Sequence, residues 1–169
     1  YENAPTNDWQ DQVFGRTGNT FNHSLTISGG SDKTKFNMGY AHMNDKAIML
    51  GSSFRRDNLS LKLNHKVNDK VSLDFSMRYA NTTVNGAGAN ESKSEVSSAD
   101  SRMKNVMIYP MFNFPDLSDS YVPDFQLTNP ITSVYHTDRQ QNRQTINMNG
   151  SISWEIFKNF KFKTEFGLD

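Results

Sequence analysis

Residues capable of chemistry are spread along this chain rather than gathered into one motif. His23, His42 and His65 are the first candidates. Pairing of Phe21 with His42 would put His23 beside Tyr40, the start of a two-histidine metal site. No third ligand accompanies them, and histidines at an interface are the plainer reading. Asp116, Asp119 and Asp124 are carboxylates that could suggest Ca²⁺. Their spacing lacks the glycine and the closing glutamate of a calcium loop, which leaves solvated turn residues. Lys62, Asp74 and Arg78 share one side of two adjacent strand patterns and are expected to form a charge ladder. Tyr109, Phe112, Phe114, Tyr121 and Phe125 alternate with Pro110, Pro115, Pro123 and Pro130. Proline stiffens such a stretch, and the ring faces can stack on sugar rings or on a partner protein. The competing reading is that the rings pack on one another, because a connection this long needs some core of its own. A nucleophile with its base, a working carboxylate pair and a Gly-rich phosphate loop are all missing from the pattern. The reading is of a non-enzyme without a cofactor or a metal.

Composition narrows the classes further. The 169 residues allow one domain. Eighteen basic and eighteen acidic side chains cancel, which argues against a nucleic-acid binder driven by charge. Without cysteine there are no disulfides, thiolate metal sites or thiol nucleophiles. A mean hydropathy of −0.72 and short apolar runs exclude a membrane helix, which needs about 20 apolar residues. Aromatics at 12% exceed what a disordered polar chain carries.

The positioning elements are strands, recognised by period-2 alternation. Phe21, His23, Leu25 and Ile27 alternate with Asn22, Ser24, Thr26 and Ser28. Phe36, Met38 and Tyr40 mark a second strand, and Leu59, Leu61, Leu63 and Val67 a third. Val71, Leu73, Phe75, Met77 and Tyr79 mark a fourth. Ile146, Met148, Ile152, Trp154 and Ile156 mark a fifth, and Phe160, Phe162, Phe166 and Leu168 a sixth. The predicted strands are 19–29, 34–44, 57–67, 71–82, 145–156 and 160–169. Tight connections, Gly30 to Lys33, Asn68 to Lys70 and Phe157 to Asn159, join them in pairs. They predict Ile27 opposite Phe36, Leu63 opposite Phe75, Trp154 opposite Phe162 and Ile156 opposite Phe160, apolar against apolar each time. The other connections are long, Asp45 to Arg56 and Thr83 to Arg143. Within the second, 98–109 is expected as a short helix with Ser98 at its N-cap and Pro110 as its stop.

Strands of about ten residues with tight turns at one end and long loops at the other fit an all-β antiparallel up-and-down meander, a segment of a large transmembrane barrel. Aromatics near the strand ends would form its two interfacial girdles. Leu59, Leu61, Leu63, Phe75 and Met77 would face lipid, and Lys62, Asp74 and Arg78 the lumen. The alternative is a secreted carbohydrate-binding β-sandwich, which alternates in the same way. Six strands fall short of the eight or so that the smallest membrane barrels need. The chain therefore reads as a partial barrel with 83–143 as a long extracellular loop and no plug domain.

Particular residues then resemble a known family. Thr6-Asn7-Asp8-Trp9-Gln10-Asp11 with Phe14, and a strand ending Ser28-Gly29-Gly30, are similar to the SusC/RagA family of TonB-dependent outer-membrane transporters. So are Phe54-Arg55-Arg56, His65 to Lys70, Asn129-Pro130-Ile131 and Phe162 to Asp169, while Ala47 stands where the family pattern has glycine. The resemblance implies a barrel of roughly twenty-two strands closed by an N-terminal plug. It implies a Gram-negative, Bacteroidetes-type outer membrane and import of glycans, peptides or other bulky nutrients. It also implies energy from the TonB complex, reached through a part outside this chain, and a SusD-like surface lipoprotein as partner.

Overall fold

The computed structural model describes residues 6–86, 102–111, 121–122, 127–136 and 138–169. In chain order the elements are α1 (Trp9–Phe14), β1 (Asn19–Gly30), β2 (Thr34–Lys46), β3 (Ser53–Lys66), β4 (Val71–Asn85), α2 (Arg102–Ile108), β5 (Tyr121–Val122), β6 (Leu127–Thr128), α3 (Pro130–His136), β7 (Gln140–Phe157) and β8 (Phe160–Leu168). One sheet runs β1-β2-β3-β4-β7-β8, a meander in which each strand pairs with the next long strand of the chain, and β5 pairs with β6 apart from it. The residues divide into two compact units. A sheet unit comprises 21–44, 55–83 and 142–169, and a loop unit comprises 1–20, 45–54 and 84–141.

In the sheet unit the hairpins follow the alternation with two shifts of register. The amide of Ser31 donates to the carbonyl of Thr34 at 2.6 Å, so the first turn has only Asp32 and Lys33 at its tip. A Cβ on Gly29 would meet the Phe36 ring at 3.1 Å, which sets Phe36 against Gly29 instead of Ile27. A slip of two leaves every side chain on its expected face. In the last hairpin Trp154 does face Phe162, but Phe157 rather than Ile156 pairs with Phe160, because the register shifts between Glu155 and Phe157. Ile156 is the extra residue of this irregularity, and Asn159 closes the turn with φ 68°. The second tight turn is tied by the Asn68 side chain, which accepts from the amides of Lys70 and Val71 at 2.9 and 2.8 Å.

The strands are longer than the alternation suggests, reaching Lys46, back to Ser53, on to Asn85 and back to Gln140. Backbone ladders continue there without an apolar pattern to advertise them. The helix expected at 98–109 spans Arg102–Ile108, and Ser98 lies outside the described residues.

The buried core sits in the loop unit. Asp8 caps α1 by accepting from the Asp11 amide at 2.9 Å, and Trp9 and Val13, one turn apart, face inward together. Trp9, Val13 and Val106 form the core, with Phe14, Met49, Tyr109 and Ile131 packed against it. Asn129 caps α3 through bonds from Ile131 and Thr132, and Pro130 fills the first helical position, where a missing N–H costs nothing.

Candidate functional site

The candidate site is the sheet itself, through the contrast between its two faces. Met148 pairs with Leu168, Gly150 with Phe166 and Trp154 with Phe162 on one face. Ser151 pairs with Glu165, Ser153 with Lys163 and Glu155 with Lys161 on the other. On the apolar side Phe21, Leu25, Ile27, Met38, Leu59, Ile152, Trp154, Phe162, Phe166 and Leu168 are 39–60% exposed. Leu61, Leu63, Phe75 and Met77 of the same parity are half-buried among these neighbours. A sandwich would close this face with a second sheet, whereas among the described residues of the sheet unit no large apolar side chain is buried. Glycine lets the rings lie flat here. A Cβ on Gly150 would fall 2.1 Å from the Phe166 ring, so only glycine fits beneath it.

Hydrogen-bonded polar groups bound the apolar stretch of β2 and β3 on both sides. At the tight turn, the Thr34 hydroxyl and His65 Nδ1 are bonded at 2.8 Å. Toward the 45–52 connection, Asp57 Oδ1 accepts from the Tyr40 hydroxyl and from His42 Nδ1, each at 2.7 Å. Arg55 Nε adds a bond to Asp57 Oδ2 at 3.2 Å. A carboxylate can only accept, so the His42 proton sits on Nδ1. The sequence reading missed this four-residue cluster, although Arg55 and Asp57 carry the parity of Leu59 and therefore share a face with Tyr40 and His42. His23 stacks edge-on against Phe21 with ring centroids 3.9 Å apart. Among the described residues no three His, Asp or Glu side chains gather as metal ligands.

On the polar face Lys62 borders one hollow with Asp74 and a second with Arg78. The expected charge ladder is not formed as ion pairs. Asp74 accepts from the Asn64 amide and, at 3.4 Å, from the Ser151 hydroxyl. Shorter side chains on adjacent strands reach it directly, without ordering a long lysine or arginine.

Of the loop aromatics, Tyr109 belongs to the buried cluster. Its ring meets Trp9 edge-on at 5.3 Å, and Trp9 Nε1 donates to the Pro110 carbonyl at 2.8 Å. At this position packing, rather than presentation to a ligand, describes the ring. Tyr121 lies on β5, and Phe112, Phe114 and Phe125 lie outside the described residues, as do Asp116, Asp119 and Asp124. Arg16, unremarked in the sequence, clasps the 47–52 connection. Its Nε donates to Ala47 O at 2.8 Å, and its Nη2 donates to Met49 O at 2.7 Å and Ser52 O at 3.0 Å.

Comparison with known proteins bears on this architecture. No protein-family model matches the chain. Over 172 residues it is 20% identical to TonB-dependent receptor P3 of Formosa agariphila, covering 99% of this chain and 17% of that receptor. The structure of the RagAB peptide transporter superposes with a TM-score of 0.63 at 18% identity, covering 99% of this chain and 20% of that one. The fold matches a segment of that transporter's β-barrel. An open apolar face and sheet edges without a neighbour among the described strands are what a segment of a wider sheet would show. The chain spans about a fifth or less of the relatives it matches.

Proposed function

We propose that this chain is part of the wall and outer loops of an outer-membrane importer of glycans, peptides or other bulky nutrients. It is energised by TonB through a part outside this chain and works with a SusD-like surface lipoprotein. The observation that carries the reading is the apolar face that stays open among the described residues, with polar groups at both ends. From Asp57 to His65 is eight residue steps along β3, roughly 27 Å at about 3.4 Å per step. At a strand tilt of about 40° this projects to roughly 20 Å, close to the apolar band of about 25 Å on outer-membrane barrels. Tyr40, His42 and Asp57 then lie at headgroup depth, where an amphipathic ring and its polar partners are best solvated. In this reading Leu59, Leu61, Leu63, Phe75 and Met77 face lipid, and Lys62, Asp74 and Arg78 face the hydrated interior.

In the same reading the connection 83–143 contributes to substrate capture and to contact with the lipoprotein. The strands perform no chemistry. They hold a water-lined passage open against the membrane. Spin labels on the full-length protein in lipid test the reading. Labels at residues 59, 61 and 63 should be relaxed by oxygen, and a label at residue 74 by a water-soluble nickel chelate. The reverse pattern would overturn the assignment.

A further inference from the structure

We propose that the polar face carries an anion subsite, a hollow around Lys62 and Arg78 that holds a carboxylate group of the cargo as it moves along the wall. The proposal rests on that face being wetted, as in the function proposed above. Lys62 on β3 and Arg78 on β4 border a hollow of about 390 Å³ together with Ser60, Ser76, Asn147 and Asp169. Two cations face a single carboxylate there, and Asp169 Oδ1 is already bonded by the Asn147 amide. The adjoining hollow, about 450 Å³, shares Lys62, and its carboxylates are engaged as well. Asp74 is held by Asn64 and Ser151, and Glu165 pairs with Lys163.

Among the described residues neither Lys62 nor Arg78 makes a hydrogen bond or an ion pair. The carboxylates of these two hollows are thus met by donors, whereas Lys62 and Arg78, on adjacent strands, border one hollow with no partner among the described residues. A lysine ammonium has three donors and a guanidinium has five in a planar fork, the geometry that suits a carboxylate with two oxygens. The hydroxyls of Ser60 and Ser76 add further donors without charge. A cation there would meet two like charges, and a neutral sugar would use only the hydroxyl and amide groups and forgo the charge-assisted bonds. The fitting ligand is a carboxylate-bearing polymer, either an acidic peptide or an acidic sugar chain.

The test uses the full-length transporter in lipid nanodiscs with four probes, tetraglutamate against tetraglutamine and trigalacturonate against its neutral trigalactose counterpart. At least one acidic probe should bind about tenfold tighter than its neutral partner, and the pair that shows the preference identifies the source of the carboxylate. The preference should vanish in the double variant Lys62→Gln/Arg78→Gln and persist in Lys62→Arg, with an unchanged melting profile showing that the barrel is intact. Equal binding of acidic and neutral probes, or a preference that survives the double variant, overturns the subsite. Labelling of a Lys62→Cys variant in membranes by a water-soluble maleimide separates the two levels. Labelling without an acidic preference removes the subsite alone, whereas protection from the reagent removes the wetted face as well.

Discussion

In the loop unit Trp9, Val13, Val106 and Val134 are at most 8% exposed, while in the sheet unit Phe21, Leu25, Phe162, Phe166 and Leu168 are more than half exposed. The first unit behaves as water-soluble proteins do, turning apolar side chains toward one another and tying its loops with side chain to backbone bonds. The second turns them outward in a single sheet. Within one chain apolar side chains are therefore buried in one unit and left open in the other. In the proposed function the exposed apolar surface of the sheet unit meets lipid, while the small core of the loop unit is closed on itself. A patch of this extent on a soluble monomer would mark an aggregation hazard or a partner site.

The contrast can be broken most severely at its aqueous end. Trp9→Ala removes the largest buried ring together with its bond to the Pro110 carbonyl. It should destabilise the loop unit by about 3–5 kcal/mol, read as faster amide exchange across α1 and α2 with little change in β7 and β8. At the other end, Leu61→Arg near the middle of β3 should cost about 2–4 kcal/mol in equilibrium unfolding of the full-length protein in lipid. The corresponding change on the polar face, Ser60→Arg, should cost far less, and equal costs would abolish the distinction between the faces.

A finer test is Asn129→Ala, which strips the cap of α3 from the Ile131 and Thr132 amides. It should weaken the loop unit by about 0.5–2 kcal/mol, visible as fraying of 130–136 in the same exchange experiment. The smallest effect belongs to Lys163→Ala. Its pairing with Glu165 lies on the open polar face, where water screens it, so the midpoint of unfolding should not move measurably.

Much of the sheet was legible because one apolar and one polar face impose a strict period of two. Leu59, Leu61 and Leu63 against Ser60, Lys62 and Asn64 need no tertiary information to be read. The register shifts were less legible. Whether the first turn holds two residues or four is settled by the Ser31 to Thr34 bond, and both choices keep the apolar parity. The irregularity at Ile156 depends on twist at the hairpin, which composition does not encode. The loop unit was nearly opaque, since α1 and α3 are short and their partners are distant in sequence. Asn129-Pro130 was a usable sign of a helix start that passed unread, and so was Asp8 followed by Asp11. Arg16 left no trace at all, because its partners are carbonyl oxygens, which every residue possesses.

That clasp limits how chains of this kind can diverge. One planar fork spans the carbonyls of Ala47, Met49 and Ser52, so its reach works as a ruler laid along the six-residue span 47–52. Inserting or deleting a residue inside the span would carry at least one of these oxygens beyond bonding distance, whatever amino acid was added. Length variation in this connection should consequently fall outside 47–52, leaving a segment free to change its side chains but held to a fixed number of links.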